Sequence, residues 1–129
     1  MTLDTSALVS VLFSESGYLD LIDRMLEAET LRIGAPTLVE ISLVFAGRTG
    51  RTAGAEVRHL LEELGVTVVP FGEGEWHRAA DAFARYGRGR HKAALNFGDC
   101  LAYATAAAAR DSLLFVGDDF RLTDITAAL

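Results

Sequence analysis

A chain of 129 residues, 50% of them hydrophobic and 23% charged, is long and apolar enough to form a compact domain, which excludes a disordered protein. We expect one domain over residues 1–129. The formal net charge of -6 argues against a simple nucleic-acid binder. The longest apolar stretches are too short to span a bilayer, the N-terminus carries no secretion signal, and Cys100 is the only cysteine, so we expect a cytoplasmic protein without membrane contact.

Strand-like and helical segments alternate along the chain. We predict strands at 1–4, 30–34, 66–69 and 113–116, with a further short strand near Ile125. Helices are predicted over 6–13, 18–27, from Ala35 onward, around 57–64, over 73–86 and over 99–110, and loops over 47–54 and 87–95. This alternation predicts a mostly parallel sheet with helices on both faces.

Two predicted helices carry apolar residues that must pack against other parts of the protein or against a partner. The helix that begins at Ala35-Pro36 is apolar nearly all round, so it needs cover beyond the sheet, either from a second copy of the chain or from a partner protein. In the helix over 73–86, the inward face is predicted to consist of Trp76, Ala79, Ala80 and Phe83.

Acidic residues follow the ends of several predicted strands. Asp4 ends the first strand, Glu40 lies in the first turns of the helix after the second, Asp99 starts the helix before the last strand, and Asp118 and Asp119 follow that strand. Because strand C-termini and the following helix N-termini lie on one side of a parallel sheet, we expect these acids to face one crevice. Clustered carboxylates repel unless a cation compensates them, and hard oxygen ligands suit Mg²⁺ or Mn²⁺.

Each acid also has a purely structural interpretation. Thr5 or Ser6 is predicted as the N-cap of the first helix, and Asn96 with Asp99 has the spacing of a capping box. Asp118 and Asp119 are common turn and cap residues. Asp4 is the hardest acid to explain in this way, because an acid at the end of an apolar strand is expected to be buried.

The motifs around these acids resemble a known family. Four segments, together with Glu40 after Ala35-Pro36, resemble a PIN-domain ribonuclease: Leu3-Asp4-Thr5-Ser6-Ala7, Leu95-Asn96-Phe97-Gly98-Asp99-Cys100, Leu114-Phe115-Val116-Gly117-Asp118-Asp119-Phe120 and Thr123-Asp124-Ile125. The similarity is greatest to the VapC toxins of bacterial type II toxin–antitoxin pairs. It extends over essentially the whole chain, in the expected order and spacing.

The resemblance implies a three-layer α/β/α fold and a Mg²⁺- or Mn²⁺-dependent endoribonuclease. The acidic quartet of the family carries over to Asp4, Glu40, Asp99 and one member of the pair Asp118 and Asp119. The family's hydroxyl after the first acid matches Thr5 or Ser6, and its asparagine matches Asn96, all three as supports of the acids. It further implies an RNA substrate, tRNA or another structured RNA among the candidates, a VapB-like antitoxin and a homodimer.

Basic residues are concentrated just before Asp99. Arg85, Arg88, Arg90 and Lys92 could form a strip that contacts RNA phosphates, although a charged and solvated loop explains the pattern equally well.

Alternatives from other classes are open at this stage. A PIN-like module could bind RNA or protein without cutting it. A receiver-type phosphoacceptor domain also holds acids at strand ends, but it would need a lysine after the last strand, and the sole lysine, Lys92, precedes Asp99. A haloacid-type phosphohydrolase would need a second aspartate where Ser6 stands.

Overall fold

The structure is a computed structural model that describes residues 1–52 and 54–129. Its elements are, in chain order, β1 (Thr2–Leu3), α1 (Thr5–Leu12), α2 (Tyr18–Leu26), β2 (Leu31–Gly34), α3 (Ala35–Thr49), α4 (Gly54–Leu64), β3 (Val66–Val69), α5 (Glu73–Tyr86), α6 (Phe97–Ala109) and β4 (Leu113–Leu114). A short 3-10 turn follows at Asp119–Leu122.

The strands of the described residues form a parallel sheet in the order β3-β2-β1-β4. Thr2 pairs with Arg32 on one side and with Leu113 on the other, so β1 lies inside the sheet. The chain moves outward from β1 to β3 and then returns to the opposite side of β1. In open α/β sheets, ligands bind at such a change of direction, beyond the carboxyl ends of the strands. Asp4 lies at this point.

Two clusters of buried side chains pack on opposite faces of the sheet. Along β4 and its extension, Leu114 belongs to the cluster formed with α1 to α4, whereas Leu113 and Phe115 belong to the cluster formed with α5 and α6. Successive side chains of a strand point to opposite faces. The fold is therefore the expected three-layer α/β/α sandwich with a parallel central sheet. Within the described residues, no helix is long and apolar enough to cross a membrane.

Several predicted boundaries differ from the structure. Both ends of the predicted loop over 47–54 are helical, because α3 continues through Gly47 to Thr49 and α4 begins at Gly54. Ala53, within this predicted loop, lies outside the described residues. The strand near Ile125 is absent from the described residues, where only an isolated bridge joins Leu113 to Ala127. The strands at the two ends of the chain are shorter than predicted, with two residues each.

The predicted inward face of α5 is wrong for its largest side chains. Trp76 is 58% exposed and Phe83 is 40% exposed, whereas Ala82 and Tyr86 are buried. The helix therefore packs on α6 through Ala82 and Tyr86 and turns the rings of Trp76 and Phe83 outward. They line an apolar cleft of ≈ 310 Å³ together with Phe97, which is 79% exposed at the start of α6.

Candidate active site

Asp4 occupies the junction of β1 and α1, where it is 6% exposed. Asp4 itself caps α1, which corrects the expectation that Thr5 or Ser6 does so. Its Oδ2 accepts hydrogen bonds from the backbone N–H of Ser6 at 3.0 Å and from the Ser6 hydroxyl at 2.5 Å. Burial raises the pKa of Asp4, the two hydrogen bonds from Ser6 oppose that rise, and the negative charge of Glu40 adds to it.

Ser6 links Asp4 to the end of the neighbouring strand. Its Oγ donates to Asp4 and accepts the backbone N–H of Val116 at 2.9 Å. Val116 begins the turn that leads to Asp118 and Asp119. Ser6 therefore orients Asp4 and holds the two strand ends together, and the backbone N–H of Thr5 also lowers the pKa of Asp4.

Asp99 lies in the first turn of α6 and forms the predicted capping box. The Asp99 N–H donates to Asn96 Oδ1 at 2.9 Å, and the Asn96 N–H donates to Asp99 Oδ2 at 2.9 Å. The pKa of Asp99 is raised to about 6, mainly by burial and further by the charges of Asp4, Asp119 and Glu40, against a lowering by the hydrogen bond from the Asn96 backbone N–H. The structure therefore confirms the predicted capping box, and Asp99 also lies within the influence of the other acids.

Glu40 reaches this cluster from the second turn of α3. Its carboxyl group lies against Gly98 in α6, and its charge raises the pKa of both Asp4 and Asp99. Glu40 also lines an open cleft of ≈ 650 Å³ between α3 and α6, whose other walls are apolar, including Phe97, Val39 and Leu43. The crevice therefore has an acidic centre and an apolar flank.

The structure separates the two acids that the sequence left undecided. The side chain of Asp118 is 95% exposed and pairs with Arg121 at 3.3 Å. Asp119, one residue further, is the member whose charge raises the pKa of Asp99. Of the two, Asp119 is therefore the candidate for the fourth acid beside Asp4, Glu40 and Asp99.

The donor set of this cluster fits a hard divalent cation. It offers carboxylate oxygen atoms, and neighbouring negative charges add to burial in raising the pKa of Asp4 and of Asp99, a repulsion that a cation would relieve. In residues 1–52 and 54–129, no three His, Cys, Asp or Glu side chains converge as a preformed metal site. Asp4 and Asp99 each direct an oxygen to a hydrogen bond within their own helix cap.

The basic strip divides into engaged and free side chains. Arg85 donates to Asp124 Oδ2 at 3.0 Å and to the Tyr86 hydroxyl at 2.7 Å, which ties α5 to the C-terminal segment. Arg90 lies over the ring of Phe83, with 5.6 Å between its Cζ and the ring centroid. Arg88 and Lys92 are exposed and form no ion pair with any residue that the structure describes.

Some residues of the site region had no role in the sequence-based analysis. Gly98 contacts Glu40, and Asp124 accepts hydrogen bonds from both Arg85 and Tyr103, the latter at 2.5 Å. Gly98 lies inside the motif around Asp99, but its contact with Glu40 depends on the packing of α3 beside α6, which the motif does not indicate. Asp124 lies in the Thr123-Asp124-Ile125 segment of the family resemblance, but its partners Arg85 and Tyr103 are distant in the chain, so spacing does not indicate its contacts.

These features define a class of protein. An acidic cluster at the switch point of a parallel α/β/α sandwich is the arrangement of a PIN domain, and the chain matches the family model described as PIN domain over residues 1–125. The chain therefore belongs to the PIN-domain family. This confirms the resemblance inferred from the motifs and leaves the receiver-type and haloacid-type alternatives without support.

The similar proteins narrow the class to the VapC ribonucleases. The chain is 40% identical to the VapC ribonuclease Mb2004c of Mycobacterium bovis, over 97% of this chain and 91% of the relative. It is 37% identical to the Ribonuclease VapC of Mycolicibacterium smegmatis, over 98% of each chain.

Solved structures of toxin–antitoxin proteins share the fold. A toxin–antitoxin complex from Klebsiella pneumoniae matches with a TM-score of 0.69 and 20% identity, over 99% of this chain and 97% of the other. VapBC2 from Rickettsia felis, bound to a DNA fragment from its promoter, matches with a TM-score of 0.70 and 13% identity, over 98% and 95%. At these identities the likeness concerns the fold.

Proposed function

We propose that this chain is a Mg²⁺- or Mn²⁺-dependent endoribonuclease and the toxin component of a type II toxin–antitoxin pair. The observation that carries the proposal is that the charges of Asp4, Glu40 and Asp119 all act on Asp99 at one edge of the sheet, with Asp4 nearly buried. Similarity to VapC ribonucleases at 35% to 40% identity supports the same activity. We further propose that residues 1–129 form one domain and that the protein acts in the cytoplasm.

The four acids would differ in how they contribute to the metal site. Asp4 and Asp99 would bind the metal directly, and Glu40 and Asp119 would complete the site. When bound, the cation would activate a water molecule and neutralise charge on the scissile phosphate. Ser6 fixes the orientation of Asp4, and Asn96 fixes that of Asp99, so both act as supports of the ligands.

Cleavage of RNA by the purified chain tests this proposal directly. We expect cleavage of an RNA panel that includes tRNA in the presence of Mg²⁺ or Mn²⁺, and loss of cleavage in Asp4→Asn and Asp99→Asn. Failure of the wild type to cut, or equal cutting by both variants, would contradict the proposal. Binding of the panel without cutting would instead favour a silent PIN-like binding module.

The adjacent acids at the last turn provide a matched pair of variants. Asp119→Asn should lose cleavage because it removes an acid of the cluster, whereas Asp118→Asn should retain it because that side chain faces solvent and Arg121. The two substitutions change the same charge one residue apart. Equal loss in both variants would refute the assignment of Asp119.

Binding of the RNA backbone is proposed for the exposed cations of the 87–95 loop. Arg88 and Lys92 are free to reach phosphates, with Arg90 and Arg85 as more constrained members of the strip. The loop leads directly into α6 and its Asp99, so bound phosphates would lie next to the acids. This local positive charge would offset the overall charge of -6.

Substitution of Arg88 and Lys92 by alanine should weaken RNA binding and make it less dependent on salt, by about one unit of slope for each lost phosphate contact. Arg58→Ala, an exposed arginine in α4, is the matched control and should leave the salt slope unchanged. An unchanged slope in the Arg88 and Lys92 variants would show that the strip is only a solvated loop.

The exposed apolar flank is proposed to be covered by protein. Val39 and Leu43 of α3 are 59% and 68% exposed and line a cleft with Phe97, which also lines the cleft beside Trp76. We propose that a homodimer and a VapB-like antitoxin use this surface, since large exposed apolar patches mark interaction sites. Leu43→Glu should convert a dimer to a monomer in analytical ultracentrifugation, and an unchanged mass would exclude α3 from the dimer interface.

A further inference from the structure

Gly98 lies at the one point where α6 meets the carboxyl group of Glu40. A Cβ atom built on Gly98 would overlap Oε2 of Glu40, and it would lie only 2.8 Å from the Glu40 Cδ and 3.0 Å from its Oε1. Non-bonded carbon atoms pack at about 3.5 to 4.0 Å. The space that Glu40 occupies is therefore the space that any other residue at position 98 would fill.

The backbone gives no other reason for a glycine at this position. Gly98 is the second residue of α6 and is not among the glycines with positive φ, so an L-residue could adopt its conformation. Glycine is also a poor helix former compared with alanine. What the glycine provides here is the absence of a side chain toward α3.

The location of the contact connects it to the acid cluster. Gly98 immediately precedes Asp99, and the charge of Glu40 acts on both Asp99 and Asp4. The first turn of a helix is also its positive end, which favours a nearby carboxylate. A carboxyl group displaced from Gly98 would leave this position and move away from the other acids.

We propose that Gly98 is a positioning residue, whose missing side chain lets the Glu40 carboxylate enter the acid cluster. The inference rests on the proposed metal-dependent function for its consequence, but the steric relation between Gly98 and Glu40 is independent of that function. The proposal assigns a role to the glycine that precedes Asp99, a residue that carries no acid of its own.

The first test compares Gly98→Ala with Gly74→Ala. Gly74 is the second residue of α5, as Gly98 is of α6, and a Cβ added there meets nothing within 4 Å. Both variants should fold, because the atom displaced by Gly98→Ala is the end of a flexible side chain. We expect Mn²⁺ affinity, measured by calorimetry and by the rise in melting temperature, to fall about 10- to 100-fold in Gly98→Ala only.

The second test asks whether the effect passes through Glu40. Glu40→Asp shortens the side chain and clears the space beside residue 98. In that background, Gly98→Ala should cause no further loss of Mn²⁺ affinity. Wild-type affinity in Gly98→Ala, or the same loss in both backgrounds, would overturn the proposal.

A third readout needs no metal. The side-chain carboxyl resonance of Glu40, assigned with Glu40→Gln and recorded by NMR in EDTA, should shift in Gly98→Ala and stay in place in Gly74→Ala. If wild-type protein fails to respond to Mn²⁺, the proposed function fails while this resonance still decides the positioning role. An unshifted resonance in Gly98→Ala would overturn that role.

Discussion

Replacing Asp99 with asparagine should stabilise the metal-free protein even though it removes a proposed metal ligand. Burial, with the charges of Asp4, Asp119 and Glu40, raises the pKa of Asp99 from 3.8 to about 6. The ionised form is therefore less favourable in the folded state than in the unfolded chain. Asparagine keeps an oxygen that can accept the N–H of Asn96, so the helix cap is preserved.

The magnitude follows from the difference in pKa. At about 1.4 kcal/mol per pKa unit, the shift corresponds to about 3 kcal/mol at neutral pH. Asp99 is only partly buried and solvent screens part of the repulsion, so we expect about 1 to 2 kcal/mol. The sign depends on pH. At pH values below its ordinary pKa of 3.8, the aspartate is neutral in both the folded and the unfolded state, so wild type and variant have equal free energies of unfolding. The wild type then loses stability as the pH rises through about 6.

Urea unfolding in EDTA, from about pH 4 to about pH 7, measures this effect. The excess in unfolding free energy of Asp99→Asn over the wild type should grow over that range. Added Mn²⁺ should make the wild type the more stable protein, because the metal binds its folded state. Asp20→Asn is the matched control, since it removes an exposed acid from the first turn of α2. A less stable Asp99→Asn at pH 7, or a difference independent of pH, would refute the reasoning.

Two further substitutions test the supports on either edge of the sheet. Ser6→Ala removes the hydroxyl that donates to Asp4, so we expect unfolding free energy to fall by about 1 to 2 kcal/mol and cleavage about 10- to 100-fold; wild-type values in both assays would contradict this. Burial alone would raise the pKa of Asp111, but the Met1 ammonium at 2.9 Å and Arg32 lower it below 3.8 overall. Asp111→Asn should therefore cost about 1.5 to 3 kcal/mol at neutral pH, a deficit that shrinks as the pH falls below about 4, and a deficit constant with pH would exclude these ion pairs as its cause.

Features set by short-range chemistry were predictable from the residues alone. The capping box of Asn96 and Asp99 forms as its spacing predicts, because both partners lie in one helical turn. Gly65 adopts positive φ at the end of α4, as a glycine after an amphipathic helix indicates. The parallel α/β arrangement followed from the alternation of strand and helix, and the family motifs carried the fold further.

The choice of helix face was not predictable in the same way. The pattern of α5 favoured Trp76 and Phe83 as core residues because of their size, yet the structure buries Ala82 and Tyr86. Which stripe of a helix packs inward depends on the partner helix, and Ala82 and Tyr86 share one buried cluster with Tyr103 and neighbouring residues of α6. The rings of Trp76 and Phe83 are left on the surface, where they line an apolar cleft with Phe97.

The acidic residues illustrate which features the sequence alone predicts and which features require the tertiary structure. The sequence by itself determined that acids follow several strand ends, and it predicts that Asp4, Glu40 and Asp99 share an edge of the sheet, since parallel strands direct their C-termini to one side. Only the tertiary structure distinguished Asp118, which pairs with Arg121, from Asp119, whose charge acts on Asp99, and placed the Glu40 carboxyl group against Gly98. Neighbouring residues of a turn point in different directions, and contacts between α3 and α6 join segments far apart in the chain, so spacing alone leaves both undetermined.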